Sequence, residues 1–148
     1  PLWFMMFIVM PAKINNKLPG AGIVVIKYFN GCPMILGLMD DDAFDMPKGT
    51  MESGENVLQT ALRETEEESS ITYLKFPWGL KHIALGNLTL FIAITDEEPV
   101  IKPNPNTGNF EHQFAKWLHF DEQYFKPALQ PAVTWAKAIV DGGSFVDL

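Results

Sequence analysis

Residues 49–71 read GTMESGENVLQTALRETEEESSI. From Glu55 to about Ser69 the pattern is helical, with Val57, Leu58, Ala61 and Leu62 forming one apolar stripe. Each helical residue advances about 100°, so Glu64, Glu67 and Glu68, at i, i+3 and i+4, share one narrow face. Like charges placed this way repel by roughly a few tenths of a kcal/mol per pair. They also lie toward the C-terminal end, where the helix dipole disfavours anions. A bound divalent cation reverses both penalties, and clustered carboxylate oxygens suit Mg²⁺ or Mn²⁺, which bind substrate phosphates at the same time. Arg63 is placed to pair with a carboxylate and fix its orientation. On the three glutamates alone, a solvated acidic helix end is the competing reading.

The chain around this segment predicts a layered domain. Ala21 to Phe29 is rich in Ile and Val and is followed by Asn30-Gly31 and a second apolar run, Met34 to Met39. That is a hairpin pattern, because both turn positions need positive φ. Asp40-Asp41-Asp42 marks a turn, and Phe44 begins a short strand that Pro47 ends. Ile71–Phe76 and Lys81–Leu85 read as strands around a turn at Pro77-Trp78-Gly79, and Leu88–Thr95 as a further strand. Residues 97–109 are a loop with three prolines and three asparagines, and Phe114–Phe120 is a last strand. Asp121 reads as an N-cap and Pro127–Val140 as a closing helix, with Leu129, Val133, Ala136 and Val140 on one face and Pro131 in its first turn. Strands and helices in this order give an α/β or α+β fold with a mixed sheet.

Composition narrows the partners. The 148 residues suit one domain, and 11 basic against 18 acidic side chains give a net charge of -7. That balance argues against a general binder of nucleic acid or anionic membranes, both of which need an excess of Lys and Arg. The single cysteine, Cys32, cannot form an internal disulfide, so a cytoplasmic setting is expected. Leu2–Met10 is an unbroken apolar run, too short to span a bilayer and without a preceding basic residue. It reads as an added or truncated start or an edge strand, with a remnant of an export or membrane segment as the alternative. The domain is expected over residues 21–141, after a lead-in over 1–20 and before a tail over 142–148.

Gly49, five residues, Glu55, seven residues, Arg63-Glu64, then Glu67-Glu68 and Ile71 resembles the Nudix box, G-x5-E-x7-R-E-U-x-E-E-x-G-U, where U is a bulky apolar residue. Two positions depart: Thr65 stands where an apolar residue is usual, and Ser70 replaces the glycine. Ser70 is the more consequential, because a residue with a Cβ is strained at positive φ. Neither change removes a charged group. Pro47-Lys48-Gly49, Glu111-His112-Gln113 with Trp117-Leu118, and Lys126-Pro127-Ala128-Leu129-Gln130-Pro131 are similar to the diadenosine tetraphosphate hydrolase branch of that family.

The resemblance implies an α/β/α sandwich around a mixed sheet. It also implies hydrolysis of a nucleoside diphosphate linked to another moiety, with Mg²⁺ or Mn²⁺. Dinucleoside polyphosphates are the expected substrate, with ADP-ribose, a (d)NTP or an RNA 5′ end the alternative and a non-catalytic binding module of the same fold the third reading. Carried over, Glu64, Glu67 and Glu68 are the metal ligands, joined by the Gly49 carbonyl and by Glu111 from a loop outside the box. Glu67 or Glu68 is the candidate base for the attacking water, Arg63 orients the carboxylates and Glu55 supports the loop–helix junction. Lys48 offsets phosphate charge, and His112 is a candidate contact for phosphate or base. Trp78, Phe76 and Tyr124 have ring faces on which an adenine could stack, beside the plainer reading of each as core or surface. His82 and His119 read as structural or exposed.

Overall fold

A computed structural model describes residues 18–142. The apolar run at Leu2–Met10 and the tail from residue 143 lie outside the described residues. Strands β1 (Gly20–Phe29), β2 (Cys32–Asp40), β3 (Ala43–Asp45) and β4 (Lys48–Thr50) precede helix α1 (Val57–Ser69). Strands β5 (His82–Leu85), β6 (Leu88–Ile94) and β7 (Ala115–Leu118) follow, then a 3₁₀ turn at Pro127–Leu129 and helix α2 (Gln130–Gly142). They form one seven-stranded sheet among the described residues, in the order β3-β2-β1-β6-β5, with β4 paired to β1 and β7 to β2. Only β1 and β6 run parallel, so the sheet is mixed, as expected.

β1 is the spine because its apolar run serves two faces at once. Ala21, Ile23 and Val25 join one cluster with Ala61 of α1 and with Ile71. Val24 and Ile26 join the other, with Ala132, Val133, Ala136 and Ile139 of α2. Successive side chains point to opposite faces of a strand, so a strand covered on both sides must be apolar throughout. Each buried Ile or Val contributes roughly 1.5–3 kcal/mol. The result is a sheet with a helix on each face.

The hairpin forms where the Asn-Gly pair placed it, with φ of 51° at Asn30 and 82° at Gly31 and Phe29 opposite Cys32. Asp41, at φ 60°, turns the chain from β2 to β3. Four expectations need correction. Helix α1 begins at Val57 rather than Glu55, because Asn56 caps it: its Oδ1 accepts from Gln59 N at 2.8 Å while its own N–H donates to Gln59 Oε1 at 2.9 Å. Leu62 is exposed, and the buried side of α1 consists of Thr60, Ala61, Thr65 and Ser69, with Val57 and Leu58 packed partly against the core.

Residues 71–76 do not form a strand; only Lys75 bridges to Ile94. The Thr72 and Tyr73 N–H groups instead donate to Glu97 Oε1, at 2.7 and 3.1 Å, and the Tyr73 carbonyl accepts from Thr95 Oγ1. Asp121 lies in a turn and caps no helix, since the chain at Tyr124–Lys126 is held extended by Phe44 through Phe44 N to Tyr124 O and Lys126 N to Phe44 O. Pro131 does fall in the first turn of α2.

β4 was not legible in the sequence, yet it builds the site. It lies against the start of β1, and a Cβ on Gly22 would come within 2.1 Å of the Pro47 carbonyl oxygen. Glycine at that position lets residues 47–49 approach the spine. α1 packs across β1 and β4, which brings its acidic face beside Lys48–Thr50.

Candidate active site

The sequence of α1 fixes which side chains face β4, and the approach of the two elements does the rest. A Cβ on Gly49 would lie 2.1 Å from the Glu64 carboxyl carbon, so any other residue there would push that carboxylate from its place. The Lys48 N–H donates to Glu68 Oε1 at 3.0 Å. Glu64, Glu67 and Glu68 line a cleft of about 330 Å³ together with Lys48, Gly49 and Glu111. Glu111 arrives from the long loop before β7, and the side-chain amide of Asn104 donates to its carboxylate. The four carboxylates expected to bind metal are therefore together.

Arg63 organises them. Its Nε donates to Glu55 Oε2 at 2.6 Å and Nη2 to Glu55 Oε1 at 3.0 Å, while Nη1 reaches Glu64 Oε2 at 2.8 Å and Glu67 Oε2 at 3.3 Å. Nη2 also donates to the Thr50 carbonyl at 2.9 Å, which ties the helix to the end of β4. Glu55 in turn accepts from Glu52 N at 2.9 Å and Thr60 Oγ1 at 2.8 Å. The Arg63 hydrogen bonds and the Glu52 N–H lower the Glu55 carboxyl to about 2, so it stays ionised as the anchor of the guanidinium.

The carboxylates deeper in the cleft behave in the opposite way. Burial raises Glu64 despite the pull of Arg63. Burial, aided by the charges of Glu64 and Glu111, pushes Glu68 up to about 9, against the lowering effect of the Lys48 N–H. Among the described residues no three acidic, histidine or cysteine side chains are already grouped as metal ligands. Arg63 holds one oxygen each of Glu64 and Glu67. The donor chemistry nevertheless fits a hard divalent cation. The set is all oxygen and anionic, part of it is buried against like charge, and the Gly49 backbone is bare beside it.

The two departures from the box are accommodated locally. Thr65 is fully buried and its Oγ1 donates to the Ala61 carbonyl at 2.7 Å. Ser70 takes the left-handed conformation, φ 66°, that terminates α1; its N–H donates to Glu66 O at 2.9 Å and its Oγ to Val100 O at 2.7 Å.

The remaining candidates scatter. His112 is buried at the edge of the glutamate cluster, with Nε2 3.8 Å from Asp45. The Lys48 ammonium pairs with Asp45 at 3.2 Å. Tyr124 is 75% exposed and does not line the cleft. Trp78 is core, Phe76 packs partly against the α1-side cluster, and His82 and His119 are exposed.

Two participants were missed. Asn104 stands in a loop whose asparagines read only as turn formers. Asp45 stands two residues before Pro47 in no recognisable spacing, and its position against Lys48 and His112 is purely tertiary. Burial opposes ionisation of Asp45, but His112, Lys48, the Met46 N–H and Lys126 outweigh it and hold the carboxyl far below the usual range.

A family model described as NUDIX domain matches residues 19–140. Comparison with curated proteins gave no match. Among solved structures, a C. elegans Ap4A hydrolase binary complex superposes with a TM-score of 0.64 at 22% identity, covering 85% of this chain and 99% of that one. A Nudix hydrolase from M. smegmatis gives 0.62 at 15% identity, covering 89% and 91%. The NUDIX domain of Shewanella oneidensis NrtR, complexed with ADP ribose, gives 0.59 at 15% identity, covering 89% and 94%. At these identities the superpositions speak to the fold alone. With the family model spanning the sheet, both helices and the acidic cleft, the chain belongs to the NUDIX family.

Proposed function

We propose that this chain is a metal-dependent pyrophosphohydrolase. Its substrate class is a nucleoside diphosphate linked to a second moiety, with dinucleoside polyphosphates such as diadenosine tetraphosphate as the specific choice. One observation carries the reading: Glu64, Glu67, Glu68 and Glu111 converge beside Gly49, with Arg63 fixing two of them. Four acidic groups gathered around a cleft cost stability and are useful for holding a cation. Glu64, Glu67, Glu68, Glu111 and the Gly49 carbonyl would hold Mg²⁺ or Mn²⁺. When bound, the ion neutralises phosphate oxygens and acts as a Lewis acid.

The chain's own residues then have distinct tasks. Arg63 and Glu55 keep the carboxylates oriented, a positioning contribution that geometry-sensitive chemistry requires. Lys48 and His112 lie at the rim, where they meet the negative charge of the polyphosphate. Tyr124, exposed and outside the cleft, would meet only a distal base. Glu67 or Glu68 accepts the proton of the water that attacks phosphorus. A new P–O bond forms, the anhydride P–O bond opposite it breaks, and a phosphorylated nucleoside leaves. The substrate is a small nucleotide, in keeping with the net charge of -7. No helix among the described residues is long and apolar enough to cross a membrane, and the proposed setting is the cytoplasm.

The dinucleotide choice rests on the flanking residues Lys48, Glu111 and His112, with the superposition on the C. elegans structure as fold-level support. A substrate panel with product identification tests it. Diadenosine tetraphosphate is cleaved in Mg²⁺, and Glu67→Gln or Glu68→Gln loses most of the rate. Full activity in EDTA overturns the metal mechanism. Cleavage of ADP-ribose but not the dinucleotide overturns the substrate choice alone. No hydrolysis of any panel member leaves a NUDIX-fold binding module as the reading.

A further inference from the structure

Beside the acidic cleft lies a second charged cluster, centred on a carboxylate, Asp45, that the hydrolytic reading does not use. Asp45, at the end of β3, is buried and receives three side chains from separate parts of the chain. Lys48 Nζ sits 3.2 Å from its carboxylate, Lys126 Nζ 3.2 Å, and His112 Nε2 3.8 Å. The Met46 N–H donates to its Oδ1 at 2.8 Å. Lys126 has a second carboxylate, Asp40 at 2.6 Å, whereas among the described residues Lys48 pairs with Asp45 alone.

Two of these partners also border the glutamates. Lys48 touches the cluster through its main chain, by its N–H to Glu68 Oε1 at 3.0 Å. His112 is the immediate neighbour of Glu111, and both line the small cavity beside Glu64, Glu67 and Glu68. Glu111 itself rides on an irregular segment between β6 and β7. The backbone bonds that fasten the end of that segment are Gln113 N to Met39 O at 2.9 Å and Met39 N to Phe114 O at 2.8 Å. The buried His112–Asp45 contact is a side-chain anchor on the Glu111 side of those bonds.

We propose that Asp45 is a positioning residue that holds Lys48 and His112, and with His112 the Glu111 loop, at fixed places on the rim of the acidic cleft. The inference rests on the proposed pyrophosphohydrolase reading for its effect on rate. Its structural content stands apart from that reading. One carboxylate outside the cleft sets the distance between β4 and the Glu111 loop, and a polyphosphate must fit between them.

The test uses the full chain and two measurements. Asp45→Asn keeps the shape and removes the charge. It is expected to lower kcat/KM for the panel substrate about tenfold or more, the scale of one charged hydrogen bond. In a Lys48→Met, His112→Gln background the same change is expected to have no further effect, because the residues through which Asp45 acts are gone. A loss that persists in that background shows a general structural role and overturns the proposal. Amide hydrogen exchange supplies the readout that does not depend on activity: Asp45→Asn speeds exchange at His112 and Gln113 relative to the amides of β1. Uniform or unchanged exchange overturns the proposal even where activity falls. If the wild type cleaves nothing in the panel, the functional reading fails and the exchange result alone decides the positioning role. Should Asp45→Asn not fold, His112→Gln leaves the Lys48–Asp45 pair in place and carries the same exchange test.

Discussion

Glu55 and Arg63 are joined at two points, Nε to Oε2 at 2.6 Å and Nη2 to Oε1 at 3.0 Å, across the N-terminal cap of α1. The pair links the loop before the helix to the helix face that carries the glutamates. Lysine keeps the charge but lacks the planar fork that makes two parallel bonds. Arg63→Lys is therefore expected to lower kcat/KM about 10–100-fold and to reduce unfolding free energy by about 1–3 kcal/mol. Steady-state kinetics beside urea unfolding checks both, and an unchanged rate would show that carboxylate orientation is unimportant.

Gly49 and Glu64 make the second prediction. A methyl group at Gly49 would overlap the Glu64 carboxyl carbon at 2.1 Å, so Gly49→Ala must move that carboxylate or β4. A displacement of about 1 Å at a reacting site can cost roughly 100-fold in rate. The stability cost is expected to be smaller, about 1–3 kcal/mol. A crystal structure of the variant would locate the displaced group.

Ser70 terminates α1 at φ 66° and spends its hydroxyl on the Val100 carbonyl. Ser70→Ala loses that bond and keeps the strain, while Ser70→Gly loses the bond and relieves the strain. The glycine variant is expected to be more stable than the alanine variant by about 1 kcal/mol. Urea midpoints of the two proteins measure the difference directly.

Mg²⁺ is expected to stabilise the fold by offsetting repulsion among Glu64, Glu67, Glu68 and Glu111. At ten times its dissociation constant the linkage is about 1.4 kcal/mol, which for a domain of this size raises Tm by about 3–6 °C. Glu68→Gln is expected to abolish this rise with little change in the Tm measured in chelator, because burial pushes Glu68 up to about 9 and leaves it largely neutral there. Thermal scans with Mg²⁺ and with EDTA check it; an equal rise in the variant would place the ion elsewhere.

Asp45 contributes to the acid sensitivity. Its folded pKa lies below the unfolded value, so its stabilisation is complete above about pH 4 and is lost as pH falls from there toward the folded pKa. At pH 7, Asp45→Asn is expected to cost about 1–2 kcal/mol, since half-buried Lys48 and Lys126 lose the buried carboxylate that they share. The gap between wild type and variant should narrow at pH 3. Unfolding measured at both pH values checks the sign.

Local order in the chain was enough for much of this molecule. The apolar run of β1, the Asn30-Gly31 turn and the spacing of Glu64, Glu67 and Glu68 each depend on residues within one or two turns, or one strand, of each other. Backbone geometry converts such spacing directly into shape, which is why the hairpin, the helix and its acidic face could be read in advance. What failed was non-local in cause. Ile71–Phe76 has a strand's composition, but its backbone groups are claimed by Glu97 and Thr95 from beyond β6. Leu62 fits an apolar stripe, but the sheet packs against the narrower side that carries Ala61 and Thr65.

The sequence by itself thus determined the layered mixed fold and the helix that presents Glu64, Glu67 and Glu68. Only the tertiary structure decided what surrounds them. It brought Glu111 across from the loop before β7, set the Glu64 carboxylate against the bare backbone of Gly49, and buried Asp45 between Lys48 and His112. Periodicity encodes which face a residue occupies on its own element. It carries no term for which distant element will pack there, and the electrostatics of the cleft are set by that packing.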